Sequence, residues 1–211
     1  KVVFLMAFKL NDCQQLSFDD SFTALTEREK KALEKSWAKI FADEIFLLVR
    51  YFLEKCKTTD EVIESLHMIP IASQQTLTVM DRIGNFAVIE CNCNYIEVIE
   101  PTGNNGFVVA TNGFVSQKMT EYNNHAIDNW RSDERYSVAY NALRKNQNHF
   151  SAELAGDILS GKHGFMCQYE RNKGADTVWS VIYDVKNRKI FRVEGNPSRK
   201  KFVEDSRMKF I

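Results

Sequence analysis

Two periods of hydrophobicity divide the chain. Ile45, Leu48, Val49, Phe52, Leu53 and Cys56 recur at helical spacing and draw one continuous apolar stripe. Phe46 and Leu47 widen it, so the helix predicted over 42–57 should be buried on more than one side. Thr58 with Glu61 three residues on is a capping-box pattern. It opens a short helix through Val62, Ile63 and Leu66 that has to stop near Pro70. After Ile71 the period falls to two. Leu77 and Val79, then Phe86 and Val88, alternate with their neighbours across a turn at 81–85, which predicts an antiparallel pair. Residues 95–100 read as a further strand. Residues 107–110, apolar on both faces, read as a strand covered on both sides.

The flanking segments are read in the same way. Residues 1–8 are β-like, 11–21 are a polar loop, and Thr26 caps a peripheral helix carrying Leu33, Trp37 and Ile40. Beyond an irregular stretch at 115–131, Ser132 should cap a helix with Asp133 and Glu134 in its first turn and Val138, Ala139, Ala142 and Leu143 on its inward face. Ser151 starts a short helix ending at Gly161. Strands are predicted at 165–169, 177–184 and 189–194, the last two joined by a turn, before a surface tail carrying Arg199, Lys200 and Lys201. Antiparallel runs of strands with helices in two blocks argue an α+β layered sandwich, in one domain over 1–211 with no repeat or linker.

Composition narrows the function classes. The chain has 211 residues, 44% hydrophobic and 27% charged, with 28 basic and 28 acidic side chains. This is the profile of a globular domain. A neutral balance gives no general attraction to nucleic acid, and Trp130, Arg131 and the basic run at 199–201 lack the interleaved aromatics of a stacking platform. No apolar run approaches the roughly 20 residues that span a bilayer. Five cysteines (Cys13, Cys56, Cys91, Cys93, Cys167) include no repeated CxxC pair, so they are expected to be reduced thiols in a cytoplasmic protein rather than zinc ligands. His67, His125, His149 and His163 are scattered without metal-ligand spacing. Neither a metal nor a cofactor is expected.

Two residues carry candidate chemistry. Asn112 follows the apolar run 107–110 and precedes Gly113. It is either a turn former or a fixed amide donor to a developing oxyanion. Arg135 shares the inward face of its helix with Val138 and Ala139. A guanidinium there has to snorkel, pair with a carboxylate, or face a polar cavity.

Taken in order, LLVRYFLEKCKTTDEVIESLHMIPI, DRIGNFAVIE, VVATNGF, SDERY and VWSVIYDVKNRKIF resemble the choloylglycine hydrolase and penicillin acylase group. These are linear amide C–N hydrolases of the N-terminal-nucleophile superfamily, related also to acyl-coenzyme A:penicillin-nucleus acyltransferases. The resemblance spans residues 45–193 and implies a four-layer αββα sandwich. It also implies a cysteine nucleophile at the mature N-terminus, with its α-amine as base, acting on a small N-acyl amide through an acyl-enzyme. It gives Thr111-Asn112 the oxyanion role and gives Arg135, in Ser132-x-x-Arg135, electrostatic support of the nucleophile. The sequence opens on Lys1 and its first cysteine, Cys13, follows twelve residues. The expectation is therefore that the chain starts partway through the fold, lacks the nucleophile and as it stands does not carry the reaction. The alternative is a non-catalytic relative that binds a ligand or partner on the same fold. Homo-oligomerisation is left open.

Overall fold

The structure, a computed structural model, describes residues 2–5, 28, 47–69, 71, 74–101, 106–123, 129–147 and 149–207. The predicted loop at 11–21, the helix capped by Thr26, the first turn of the 42–57 helix, Cys13 and His125 lie outside the described residues.

Residues 47–55 are helical. Leu48 and Phe52, one turn apart, are buried, whereas Val49 is 41% and Leu53 79% exposed. The burial expected on several sides is thus confined to one stripe, because the helix rests on a single layer beneath it. That layer includes α1 (Thr59–Met68), whose N-cap Thr58 is extended and accepts the Glu61 N–H through Oγ1 at 3.2 Å. The Glu61 carboxylate answers by accepting the Lys57 N–H at 2.5 Å. This is the anticipated capping box with its return bond shifted by one residue. At its far end Ile69 is extended, the conformation that a following proline imposes.

β2 (Gln75–Met80), β3 (Phe86–Cys91) and β4 (Ile96–Ile99) form an antiparallel sheet in that order. Leu77 stands opposite Ile89, and Ile89 opposite Val98. Leu77, Ile89 and Cys91 point toward Leu48, Phe52, Val62 and Leu66 and make one core with them. The β2–β3 turn is built on Asp81, whose Oδ1 accepts the N–H groups of Gly84 and Asn85 at 2.8 and 2.9 Å. Burial acts to raise the Asp81 pKa, but these backbone donors together outweigh it and hold the carboxyl below its ordinary value.

The second sheet is β1 (Val2–Leu5), β5 (Trp179–Asp184), β6 (Lys189–Glu194) and β7 (Val203–Glu204), ordered β1-β5-β6-β7 and antiparallel throughout. The segment expected to be a surface tail thus contributes a strand, and Phe202 packs beside Ile182 and Phe191 in the core. Helix α2 (Ser132–Lys145) and helix α3 (Ala152–Leu159) pack against each other, and α3 also rests on β5 and β1. Ile158 of α3 joins Val109, Ala139, Ala142 and Leu143. Its neighbours Ala155 and Leu159 pack on Ile182 of β5 instead. Ser151 caps α3 by accepting the Leu154 N–H.

Two predicted strands are not strands. Residues 107–110 have no ladder. Phe107 is held by edge-to-face contacts with Tyr140 and Phe150, and Val109 by packing against α2. The strand covered on both faces is β3 instead, buried from Ala87 to Cys91. Residues 165–167 are bends, and 168–169 are irregular. Here the Gln168 side chain does the work of a partner strand. Its Oε1 accepts the Met166 and Cys167 N–H groups, and its Nε2 donates to the Gly161 carbonyl. A side chain on Gly161 would overlap that amide.

The described residues are α+β, with helices and two small antiparallel sheets. None of the described helices is long and apolar enough to cross a membrane. Of the described cysteines, Cys91 and Cys167 are buried, Cys56 is half-buried, Cys93 is exposed, and none is in a disulfide.

Candidate active site

Thr111 and Asn112 leave the apolar segment 106–110 at the point where α2 begins. Thr111 is buried and its Oγ1 accepts the Ser132 hydroxyl at 2.8 Å. Ser132 was expected to cap α2, but it is already helical. The N-cap position belongs to Arg131, which gives no side-chain cap. The Ser132 hydroxyl is spent on Thr111 because both groups are buried and each needs a partner. The cap is supplied by Asn129, whose Oδ1 accepts the Ser132 N–H at 3.2 Å.

One turn into α2 comes Arg135, only 6% exposed. Its Nη2 donates to Asn112 Oδ1 at 2.5 Å and to the Asn129 carbonyl at 3.3 Å, and its Nε donates to the Trp130 carbonyl at 2.8 Å. A charge on an apolar helix face thus finds a polar wall instead of snorkelling. Burial pushes the guanidinium pKa down from its ordinary value, yet an arginine keeps its charge wherever the protein is folded. Because the donor is a guanidinium, the end of the Asn112 amide that meets it has to be the oxygen.

The wall is backed by strained backbone. Trp130 and Arg131 have φ of 57° and 56°, the left-handed region in consecutive non-glycine residues, at a cost of about 1–2 kcal/mol each. The Trp130 carbonyl, turned inward by this conformation, accepts from both Arg135 and the Tyr169 hydroxyl, the latter at 2.9 Å. The Trp130 ring meets Tyr169 edge-on at 5.6 Å, and the Arg131 guanidinium lies 3.4 Å over the Phe165 ring.

The loop carrying Asn112 is pinned from two further directions. Glu90 of β3 is 1% exposed, and its carboxylate accepts the Val115 N–H at 2.7 Å, the Ser116 N–H at 2.9 Å and the Ser116 hydroxyl at 2.6 Å. Asn123 makes a reciprocal pair with Phe114, accepting its N–H and donating to its carbonyl, both at 2.8 Å. Sequence reasoning missed Glu90, Asn123, Asn129 and Tyr169. The one signal within reach was an acidic residue inside the apolar run FAVIEC, where it had to be paired.

Near the wall is a small apolar cleft, with a cavity volume of about 30 Å³, lined by Thr78, Val88, Val108, Val109, Ala110, Ala139, Leu143 and Ile158. Ala110 precedes Asn112 by two residues and Ala139 follows Arg135 by one helical turn. The cleft and the polar wall therefore share two segments, with Thr78, Val88 and Ile158 completing the cleft. The histidines described (His67, His149, His163) are exposed elsewhere. Among the described residues no cluster of His, Cys, Asp or Glu could hold a metal ion.

Both sequence-predicted site residues, Asn112 and Arg135, are brought into direct contact. Searches among curated proteins and among solved structures found no match. The family model for acyl-coenzyme A:6-aminopenicillanic acid acyl-transferase matches residues 43–199, a span that holds Asn112, Arg135, Glu90, Tyr169 and the whole lining of the cleft. By that match, which covers most of its length, the chain belongs to the acyl-coenzyme A:6-aminopenicillanic acid acyl-transferase family.

Proposed function

We propose that Asn112 and Arg135 form the electrostatic half of a site that cleaves the linear, non-peptide amide of a small N-acyl substrate through a cysteine acyl-enzyme. The observation that carries the reading is the half-buried Arg135–Asn112 contact, 2.5 Å long, made by segments that also contribute Ala110 and Ala139 to an apolar cleft. With its oxygen held by the guanidinium, the Asn112 amide presents nitrogen as the donor toward an acyl oxygen. A donor fixed before reaction costs no reorganisation when charge develops, and this is where most of such a site's rate gain arises.

In this reading the nucleophile is the thiolate of an N-terminal cysteine, its proton taken by the chain's own α-amine. The thiolate adds to the amide carbonyl, and the resulting oxyanion is met by Asn112. Collapse expels the amine, which takes back the proton. Water then cleaves the thioester, or a second amine does so in acyl transfer. Arg135 contributes positive potential and orients Asn112. The acyl group is directed toward the small cleft, whose lining is mostly aliphatic. The same reading makes the two sheets the inner layers of a four-layer αββα sandwich in one domain over 1–211. It also sets the protein in a cytoplasmic, thiol-reducing compartment.

The test is intact mass and N-terminal sequencing of the protein made from its natural gene, together with amide cleavage by that product. An N-terminal cysteine exposed by processing, with release of amine from N-acyl amides, is the expected result. A native product without such a cysteine and without turnover would leave a non-catalytic, ligand-binding relative.

A further inference from the structure

We infer that Tyr169 is a positioning residue, acting on Arg135 through the Trp130 carbonyl. The inference rests on the acyl-transfer reading of Asn112 and Arg135 and adds to it a residue 34 positions beyond the helix residue it serves.

A carbonyl oxygen has two lone pairs, and at Trp130 one takes the Arg135 Nε–H at 2.8 Å and the other the Tyr169 hydroxyl at 2.9 Å. The carbonyl reaches that position only because Trp130 and Arg131 sit at φ 57° and 56°. Such a conformation relaxes unless its surroundings over-determine it. Tyr169 supplies part of that determination twice over. Its hydroxyl fixes the carbonyl, and its ring holds the Trp130 indole edge-on at 5.6 Å while itself resting against Phe165 at 5.0 Å. Phe165 in turn lies under the Arg131 guanidinium at 3.4 Å. The segment 165–169 thus buttresses both left-handed residues from outside.

Without the hydroxyl, the Trp130 carbonyl loses one of its two donors, and the position it sets for Nε of Arg135 is less firmly fixed. Arg135 would keep its contact with Asn112 but lose the second anchor that sets the plane of its guanidinium. The cleft, which Tyr169 does not line, would be unchanged. The consequence is therefore a loss in kcat with little change in KM, a pattern that general loosening of the fold does not produce.

The experiment uses Tyr169→Phe, which keeps the ring and its packing, and reads the Arg135 Nε–H directly by NMR. Its resonance is assigned by its disappearance in Arg135→Lys. Exchange of that proton with solvent is expected to accelerate about fivefold or more, the scale of one lost hydrogen bond. The amides of Ala139, Ala142 and Leu143 further along α2 should exchange as before. Unchanged Nε–H exchange, or acceleration shared equally by those amides, overturns the inference. Turnover of an N-acyl p-nitroanilide by the full-length product of the natural gene separates it from the reading beneath. If Arg135→Lys leaves kcat unaltered, the acyl-transfer role of Arg135 fails. If Arg135→Lys lowers kcat and Tyr169→Phe does not, only the Tyr169 assignment fails. Additivity is the remaining criterion, since Tyr169→Phe should cost nothing more once Arg135 is lysine.

Discussion

Arg135 and Asn112, 23 residues apart in the chain, meet in a hydrogen bond of 2.5 Å in which the asparagine amide oxygen is the acceptor. Arg135 also donates to the Asn129 and Trp130 carbonyls, so Asn112 is one of three acceptors around this buried guanidinium. The contact therefore joins the start of α2 to the loop after residues 106–110 by a requirement of charge, not merely by packing.

Asn112→Ala in the full-length product should lower kcat by about 10²–10³, the range for loss of one side-chain donor to an oxyanion. Far-UV circular dichroism should be unchanged. A loss below tenfold would return Asn112 to the role of a turn former ahead of Gly113.

Glu90→Ala removes the acceptor for three donors, two of them backbone N–H groups. Buried donors left unsatisfied cost about 1–3 kcal/mol, so urea denaturation should show a loss of about 3 kcal/mol or more. The loop 112–116 should also become susceptible to limited proteolysis. Glu90→Gln, which can serve the donors only in part, should fall between this variant and the wild type.

Ala139→Leu places a branched side chain in the cleft between Leu143 and Val109. Preference should shift toward shorter acyl groups, with KM for the longest members of an N-acyl p-nitroanilide series rising most. A methylene is worth roughly 1–3 kcal/mol in such a pocket, or about 10–200-fold. An unchanged length profile would remove the cleft from the acyl site.

Asp176 governs an acid-labile link. It accepts from Asn196 Nδ2 at 2.7 Å and from Arg199 Nη2 at 2.5 Å, and these two bonds, in that order, hold its carboxyl below the ordinary carboxylate value. A depressed folded-state pKa contributes stability that is fully present above the unfolded value, about 3.9. That contribution is lost as pH falls from there through the folded value. Asp176→Asn should therefore flatten the acid limb of a stability–pH profile and leave its slope near pH 7 unchanged.

The sequence disclosed those parts of the molecule whose partners are near in the chain. The β2–β3 and β5–β6 hairpins follow from alternation and from turn chemistry at Asp81 and Gly84, and the Thr58 and Ser151 caps from residues three positions away. Arg135 was legible because a charge on an apolar helix face demands an explanation that Val138 and Ala139 do not. Residues 107–110 and 165–169 were misread as strands because an apolar run records burial and not the presence of a hydrogen-bonded neighbour. The ring contacts of Phe107 and the side-chain amide of Gln168 took the neighbour's place. Glu90 and Tyr169 act on residues 25 and 39 positions away, and no local pattern marks such distances. The left-handed pair Trp130–Arg131 was equally hidden, because neither residue type advertises that conformation.

Helix α3 sends Ile158 into one core and Ala155 and Leu159 into the other. Eight residues thus serve as a shared axle: a turn of that helix cannot slide or rotate to suit one core without disturbing the other. The strands of β5 and β6, far in sequence from Asn112, are in this sense a remote setting for it. A substitution at Ile182 that shifts α3 would be felt at Ala139, and one turn back along α2 at Arg135.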